Sequence, residues 1–161
     1  MDMRKPTFEI TRATIDNVAL IAPLFDAYRQ FYQQATDVAA AQNFLTARLQ
    51  ENSSVIFLAL SLESDENGIR QVYGFTQLYP SFSSISLKPL WILNDLFVIP
   101  EARRSGVGKA LLDRAREFAI ETQARGLTLK TAVNNSSAQA LYEAAGWQRD
   151  GQFYSYNLYV S

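Results

Sequence analysis

Apolar positions change their period several times along the chain, and each change marks an element. Phe8 and Ile10 alternate with Glu9 and Thr11, the two-residue repeat of a short strand. Val18, Ile21, Phe25, Tyr28 and Tyr32 then recur at helical spacing, with Thr14 placed to cap that helix and Asp16 in its first turn. Pro23 falls inside the span and either kinks the helix or marks its start. Asp37 is placed to cap a second helix, buried through Phe44, Leu45 and Leu49. Residues 54–62 and 71–79 read as strands joined by a polar hairpin at 63–70, where Asn67-Gly68 is a turn signal. The Ser-rich stretch 80–89 reads as a loop, and 91–98 as an apolar strand interrupted by Asn94 and Asp95. From Gly106 or Val107 to about Gln123 the helical period returns through Leu111, Leu112, Ala115, Phe118 and Ala119, and Gly126 is expected to close this helix in the left-handed conformation. Residues 127–133 form the next strand, 136–145 a helix ended by Gly146, and 153–160 a last strand, aromatic on both faces. The predicted order, β-α-α-β-β-β-α-β-α-β, is that of a mixed α/β sandwich.

Composition narrows the chemistry. The 161 residues, 48% apolar and 19% charged, fit one domain spanning 1–161. A net charge of −1 supplies no cationic surface for nucleic acid, yet it leaves a small cationic partner unrepelled. The opening stretch lacks the apolar centre of a secretory leader, and no apolar run approaches a membrane span, so a cytoplasmic location without membrane contact is expected. Histidine and cysteine are both absent, which excludes Ser-His-Asp and Cys-His catalysis along with imidazole or thiolate metal sites. Acid–base work falls to Asp, Glu, Lys, Tyr or water. No metal is expected.

The strand at 91–98 leads through a short loop into a helix. Its connecting residues, Arg103, Arg104, Ser105, Gly106, Val107, Gly108 and Lys109, have the makings of an anion seat. Successive backbone N–H groups from Arg104 to Lys109 form a nest, the helix behind adds its positive end, and two glycines permit close approach and positive φ. A pyrophosphate fits such a seat. A P-loop would need Gly at Arg103 and Ser or Thr at Ala110, while a Rossmann turn would need a small residue at Leu111 and an early strand. Neither pattern is met. Taken alone, a glycine loop at a helix start is explained equally well without a ligand.

A second block changes that balance. Arg103-x-x-Gly106-x-Gly108, followed by Asn135-x-x-Ala138-x-x-x-Tyr142 and Gly146-Trp147, resembles the GCN5-related N-acetyltransferase (GNAT) superfamily over nearly the whole chain. The likeness is strongest at 93–112 and 133–147, and YRQFY with WILNDLFV looks like the histone/polyamine-acetyltransferase-like branch. The resemblance implies a single-domain α/β (α+β) fold, a mixed, mostly antiparallel sheet with a splayed parallel strand pair, flanked by helices. It also implies an acetyl-CoA-dependent N-acetyltransferase in which a primary amine attacks directly within a ternary complex. The alternative is a sensor that binds acetyl-CoA or CoA without transfer.

Roles follow from the same resemblance. Residues 103–109 would hold the cofactor pyrophosphate. The pantetheine arm would lie between the splayed strands and pair with the backbone of Leu96, Phe97 and Val98, with Leu96 or Phe97 N–H receiving the oxyanion. Asn135 would bond the arm, although it is also placed to cap the following helix. Tyr142 would protonate the departing thiolate, a role its motif favours over that of a packing tyrosine. Asp95 would be the base or the anchor of a cationic acceptor, against a structural carboxylate bonded to backbone, Arg103 or Arg104. The glutamate implicated in proton removal in the diamine acetyltransferases aligns with Asn94, so that role does not carry over. Tyr28 and Tyr32, with Arg29 and Phe31 on the first helix and Tyr79 at the end of the third strand, would face the acceptor, where rings can hold an ammonium; core packing competes at each. The acceptor is a small-molecule or peptide amine of open identity. The aromatic segment 153–160 is either a buried strand or the contact of a homodimer.

Overall fold

The computed structural model describes residues 5–161; residues 1–4, the start of the stretch read for a leader, lie outside the described residues. The chain divides into two compact units, Met1–Lys130 and Thr131–Ser161.

The first unit contains β1 (Phe8–Arg12), α1 (Val18–Phe31), α2 (Val38–Gln50), β2 (Val55–Ser64), β3 (Arg70–Ser83), β4 (Lys88–Val98), α3 (Val107–Glu121) and β5 (Leu127–Thr128). The five strands form one sheet in the order β1-β2-β3-β4-β5, antiparallel throughout except for the parallel pair β4–β5. This is the mixed, mostly antiparallel sheet expected of the fold class.

Alternation along the strands sends side chains to two faces. On one face Phe75 meets Phe25 of α1 at 5.8 Å, and Ile56, Leu58 and Leu60 join Ile21, Leu24 and Leu45 in the main core. On the other, Phe118 of α3 packs against Phe57 at 5.6 Å and Trp91 at 4.9 Å. The sheet of this unit is therefore covered on both sides, which explains why β2 reads as an almost unbroken apolar run.

Local chemistry sets the helix ends. Thr14 and Asn17 form a capping box over a 3-10 turn at Ile15–Asn17, and α1 then runs through Pro23 without ending there. Asp37 accepts from Ala40 N–H at 3.0 Å and caps α2. Phe44, expected inside, is 43% exposed and instead stacks on Phe25 at 5.9 Å. The α3 C-terminus corrects another expectation. Gln123 takes the left-handed conformation (φ 57°), Gly126 does not, and the Thr122 hydroxyl bonds the Phe118 carbonyl at 2.9 Å.

Three strand expectations change for one reason, the presence or absence of a partner. The stretch 80–89 is no loop, because β3 and β4 stay paired out to Ser83↔Lys88. Pro80 is tolerated there since β2 pairs with β3 only as far as Leu78, so no ladder bond is lost on that side. By contrast, the strand expected at 127–133 is confined to Leu127–Thr128, paired with Trp91 and Ile92.

The second unit holds α4 (Ser136–Ala144), closed by Gly146 at φ 91° as expected. Residues 153–160 form no strand, and Phe153, Tyr154, Tyr156, Leu158, Tyr159 and Val160 are exposed, so the buried strand expected there is not observed. Aromatic alternation supplies side chains for a strand; a ladder also needs a second backbone.

Candidate active site

The site begins with a bulge. In the β3–β4 ladder Leu78 pairs with Leu93 and Gln77 with Asp95, so Asn94 is an extra residue on β4. Such an insertion bends and twists the strand that carries it. The parallel ladder to β5 ends at Ile92↔Thr128, just before the bulge, and Leu93–Val98 has no partner strand on that side among the described residues. Direction follows from alternation. Ile99 N–H donates inward to Tyr73 on β3 at 2.9 Å, so the backbone groups of Val98 and Leu96 point to the open edge and those of Phe97 point to β3. Arg103 Nε donates to the Val98 carbonyl at 3.1 Å, which agrees with that direction.

Beyond β4, a 3-10 turn at Pro100–Ala102 leads to the loop before α3. Arg104 (φ 61°) and Gly106 (φ 84°) both adopt left-handed backbone, whereas Gly108 lies within the helix. Left-handed conformation at a non-glycine residue is uncommon and costs energy, so Arg104 marks a strained turn. Gly106 caps α3 without any side-chain hydrogen bond, which leaves the first-turn N–H groups of Val107, Gly108 and Lys109 without a side-chain acceptor. Arg103 stacks over Phe97 at 5.9 Å, Lys109 pairs with Asp113 at 2.8 Å, and Ser105 donates weakly to the Arg103 carbonyl at 3.4 Å. The loop is exposed at Arg103, Arg104, Gly106 and Lys109, while the Arg103 N–H is already donated to the Pro100 carbonyl at 3.3 Å.

On the α1 and α2 side of the sheet, four expected residues come together. Asp95 is 6% exposed and accepts from Gln77 Nε2 at 2.7 Å and Asn94 Nδ2 at 3.2 Å. It bonds neither Arg103 nor Arg104, and no ion pair involves it among the described residues. Tyr79 Oη accepts from the same Gln77 nitrogen at 3.2 Å. Tyr28 packs edge-on to Phe75 and Tyr32 at 5.7 and 5.1 Å. Burial, and after it the negative charge of Asp95, raises the pKa of Tyr28 well above the ordinary phenol range. The same two causes push Tyr79 up to about 12, opposed by the Arg48 guanidinium. Both phenols therefore stay protonated at neutral pH; they can donate hydrogen bonds but cannot serve as the base. Tyr32 lies just past the end of α1 and is 54% exposed.

Asn135 and Tyr142 belong to the second unit. Asn135 Oδ1 accepts from Ala138 N–H at 3.2 Å and caps α4, which realises its capping role. Tyr142 lies on α4 with its ring 6.0 Å from that of Trp147, and its carbonyl accepts from Trp147 N–H at 3.0 Å.

Gln77 was not singled out in the sequence, although Thr76-Gln77 interrupts an apolar strand just as Asn94-Asp95 does. Gly74 was also missed: a Cβ there would stand 2.7 Å from the Phe97 carbonyl and 3.2 Å from Val107. Among the described residues no group of three or more His, Cys, Asp or Glu side chains could hold a metal, and no helix is long and apolar enough to cross a membrane.

A parallel strand pair that stops at Ile92↔Thr128 and a glycine loop opening a helix frame the candidate site, and comparison with known proteins gives its class. Residues 21–147 match the acetyltransferase (GNAT) family, and the chain belongs to it. It is similar to an uncharacterised N-acetyltransferase, YhfO, of Bacillus subtilis, with 48% identity over 94% of this chain and 97% of that one. A probable acetyltransferase of Haemophilus influenzae is 37% identical over 75% of this chain and 79% of its own. The crystal structure of a probable acetyltransferase superposes with a TM-score of 0.87 at 44% identity, covering 95% of this chain and 98% of that one. The protein is therefore an acetyltransferase of the GNAT family, whose members use acetyl-CoA as cosubstrate.

Proposed function

We propose that this chain moves the acetyl group of acetyl-CoA to a primary amine by direct attack in a ternary complex, with residues 1–161 working as one catalytic domain. One observation carries the reading: the unpaired edge of β4 beyond Ile92 leads into the uncapped start of α3. A pantetheine arm has amides that can replace the missing strand, and a pyrophosphate suits the N–H groups of 104–109. Leu96 faces the open edge, so its N–H is the proposed oxyanion donor and Val98 a partner of the arm. Phe97 contributes its ring, beneath Arg103.

The acceptor reaches the site as a cation. An alkylamine is neutral only about 1 part in 2,500 at pH 7, a cost of roughly 4.6 kcal/mol. Asp95, buried and without a counter-ion, supplies the charge that attracts the ammonium, and Tyr28, Tyr32 and Tyr79 line its approach. Asp95 or a water beside it then takes the proton. The free amine attacks the thioester carbon, the oxyanion forms against Leu96 N–H, and collapse expels the CoA thiolate. Tyr142, assigned by its motif, protonates that thiolate; from a phenol near 10 to a thiol near 8.5 this is uphill by roughly 2 kcal/mol. Asn135, likewise by motif, bonds the arm. No metal enters the scheme. The reading includes a cytoplasmic location, no nucleic-acid or membrane partner, and a homodimer through 153–160.

Thiol release from acetyl-CoA across polyamines, small amines, amino acids and peptide amines tests this function. Tyr142→Phe is expected to lower turnover by about tenfold or more while acetyl-CoA binding holds. Binding of acetyl-CoA with no thiol release for any amine would make the protein a CoA sensor instead.

A further inference from the structure

Gln77 sits directly opposite Asp95 in the β3–β4 ladder and is completely buried, at 0% exposure, while Asp95 keeps 6%. What little surface the pair keeps therefore belongs to Asp95 and none to Gln77. The two N–H bonds of Gln77 Nε2 are both spent, one on Asp95 Oδ2 at 2.7 Å and one on Tyr79 Oη at 3.2 Å. Its Oε1 has no hydrogen-bond partner among the described residues. An apolar side chain of similar volume would fill this position without the cost of an unmatched buried oxygen. A cation in the same place would hold Asp95 too, but it would cancel the charge that an incoming ammonium needs. A neutral double donor does neither.

We propose that Gln77 is a positioning residue for amine recognition, fixing the Asp95 carboxylate and the Tyr79 phenol in one arrangement while leaving the negative charge intact. This rests on Asp95 being the ammonium anchor. The titratable groups around the pair are Tyr28 from α1, Arg48 from α2, Tyr79 from β3 and Asp95 itself from β4.

Two variants test it. Gln77→Met keeps the volume and removes both donors; KM for the amine should rise by about tenfold or more with KM for acetyl-CoA unchanged. Gln77→Glu places a second carboxyl against Asp95, and the pair can keep the bond only while it shares a proton. Its kcat/KM for the amine relative to wild type should therefore fall as pH rises. Equal changes in both KM values with a lowered melting temperature, no change in either, or a pH-independent ratio would each overturn the proposal. If wild-type protein acetylates no amine, the proposed function fails, and crystal structures of wild type and Gln77→Met then decide the matter. A displaced Asp95 carboxylate supports the positioning role, and an unmoved one refutes it.

Discussion

Asp95 is the residue on which the proposed acceptor chemistry turns. It is buried, its donors are neutral (the amides of Gln77 and Asn94 and the Tyr28 phenol), and it has no cationic partner among the described residues. A buried charge of this kind is costly unless something completes it, and the proposed ammonium would do so. Asp95→Asn keeps the shape and removes the charge, so kcat/KM for the amine should drop by about 10- to 100-fold, while acetyl-CoA still binds; steady-state kinetics against each substrate checks both halves. The neighbouring phenols give an independent test by pH. Tyr79 ionises at 10 in the unfolded chain and at about 12 in the folded one, so the native state holds its proton longer. Between those values the unfolded chain binds fewer protons, and stability must fall as pH rises. Unfolding midpoints should stay level on this count up to about pH 10 and decline beyond it, and phenolate absorbance should show a late step that Tyr79→Phe abolishes. Asp95 was legible in the sequence as a carboxylate out of place in an apolar strand. Gln77 carried the same signal and went unread, because glutamine is uncharged and its partner is set by register, which no local pattern reveals.

Between elements, the decisive features are the bulge at Asn94 and the close approach of β3 to β4 at Gly74. A methyl group on Gly74 would meet the Phe97 carbonyl at 2.7 Å, a backbone atom that cannot swing aside, together with Val107 at the start of α3. Gly74→Ala should destabilise the fold by about 1–3 kcal/mol and also weaken acetyl-CoA binding, since β4 and the α3 start both shift; denaturant melts and the thermal shift with acetyl-CoA measure the two effects. Helix positions and caps were largely legible, because Thr14, Asp37, Asn135 and Gly146 act through their immediate neighbours. Strand extents were not. Pro80 and the serines of 80–89 argue for a loop, yet pairing across the hairpin carries both strands to Ser83 and Lys88. Residues 129–133 and 153–160 have the right composition and no ladder partner. Propensity chooses candidates for a sheet; partners decide membership.

For the chain as a whole, two absences in the sequence limited the chemistry before any fold was considered. Without histidine or cysteine there is no Ser-His or Cys-His nucleophile, and direct transfer from a thioester to an amine needs none. Family membership, covering 21–147, fixes the reaction class, and the open edge of β4 with the uncapped α3 start is the proposed seat of the cosubstrate. The most direct measurement is the stoichiometry of that reaction, with released thiol counted against acetylated amine by mass spectrometry under saturating acetyl-CoA. Direct transfer predicts one acetylated amine for each thiol and no acetyl group left on the protein. Thiol release without acetylated amine, or an acetylated protein that persists as an intermediate, would contradict it.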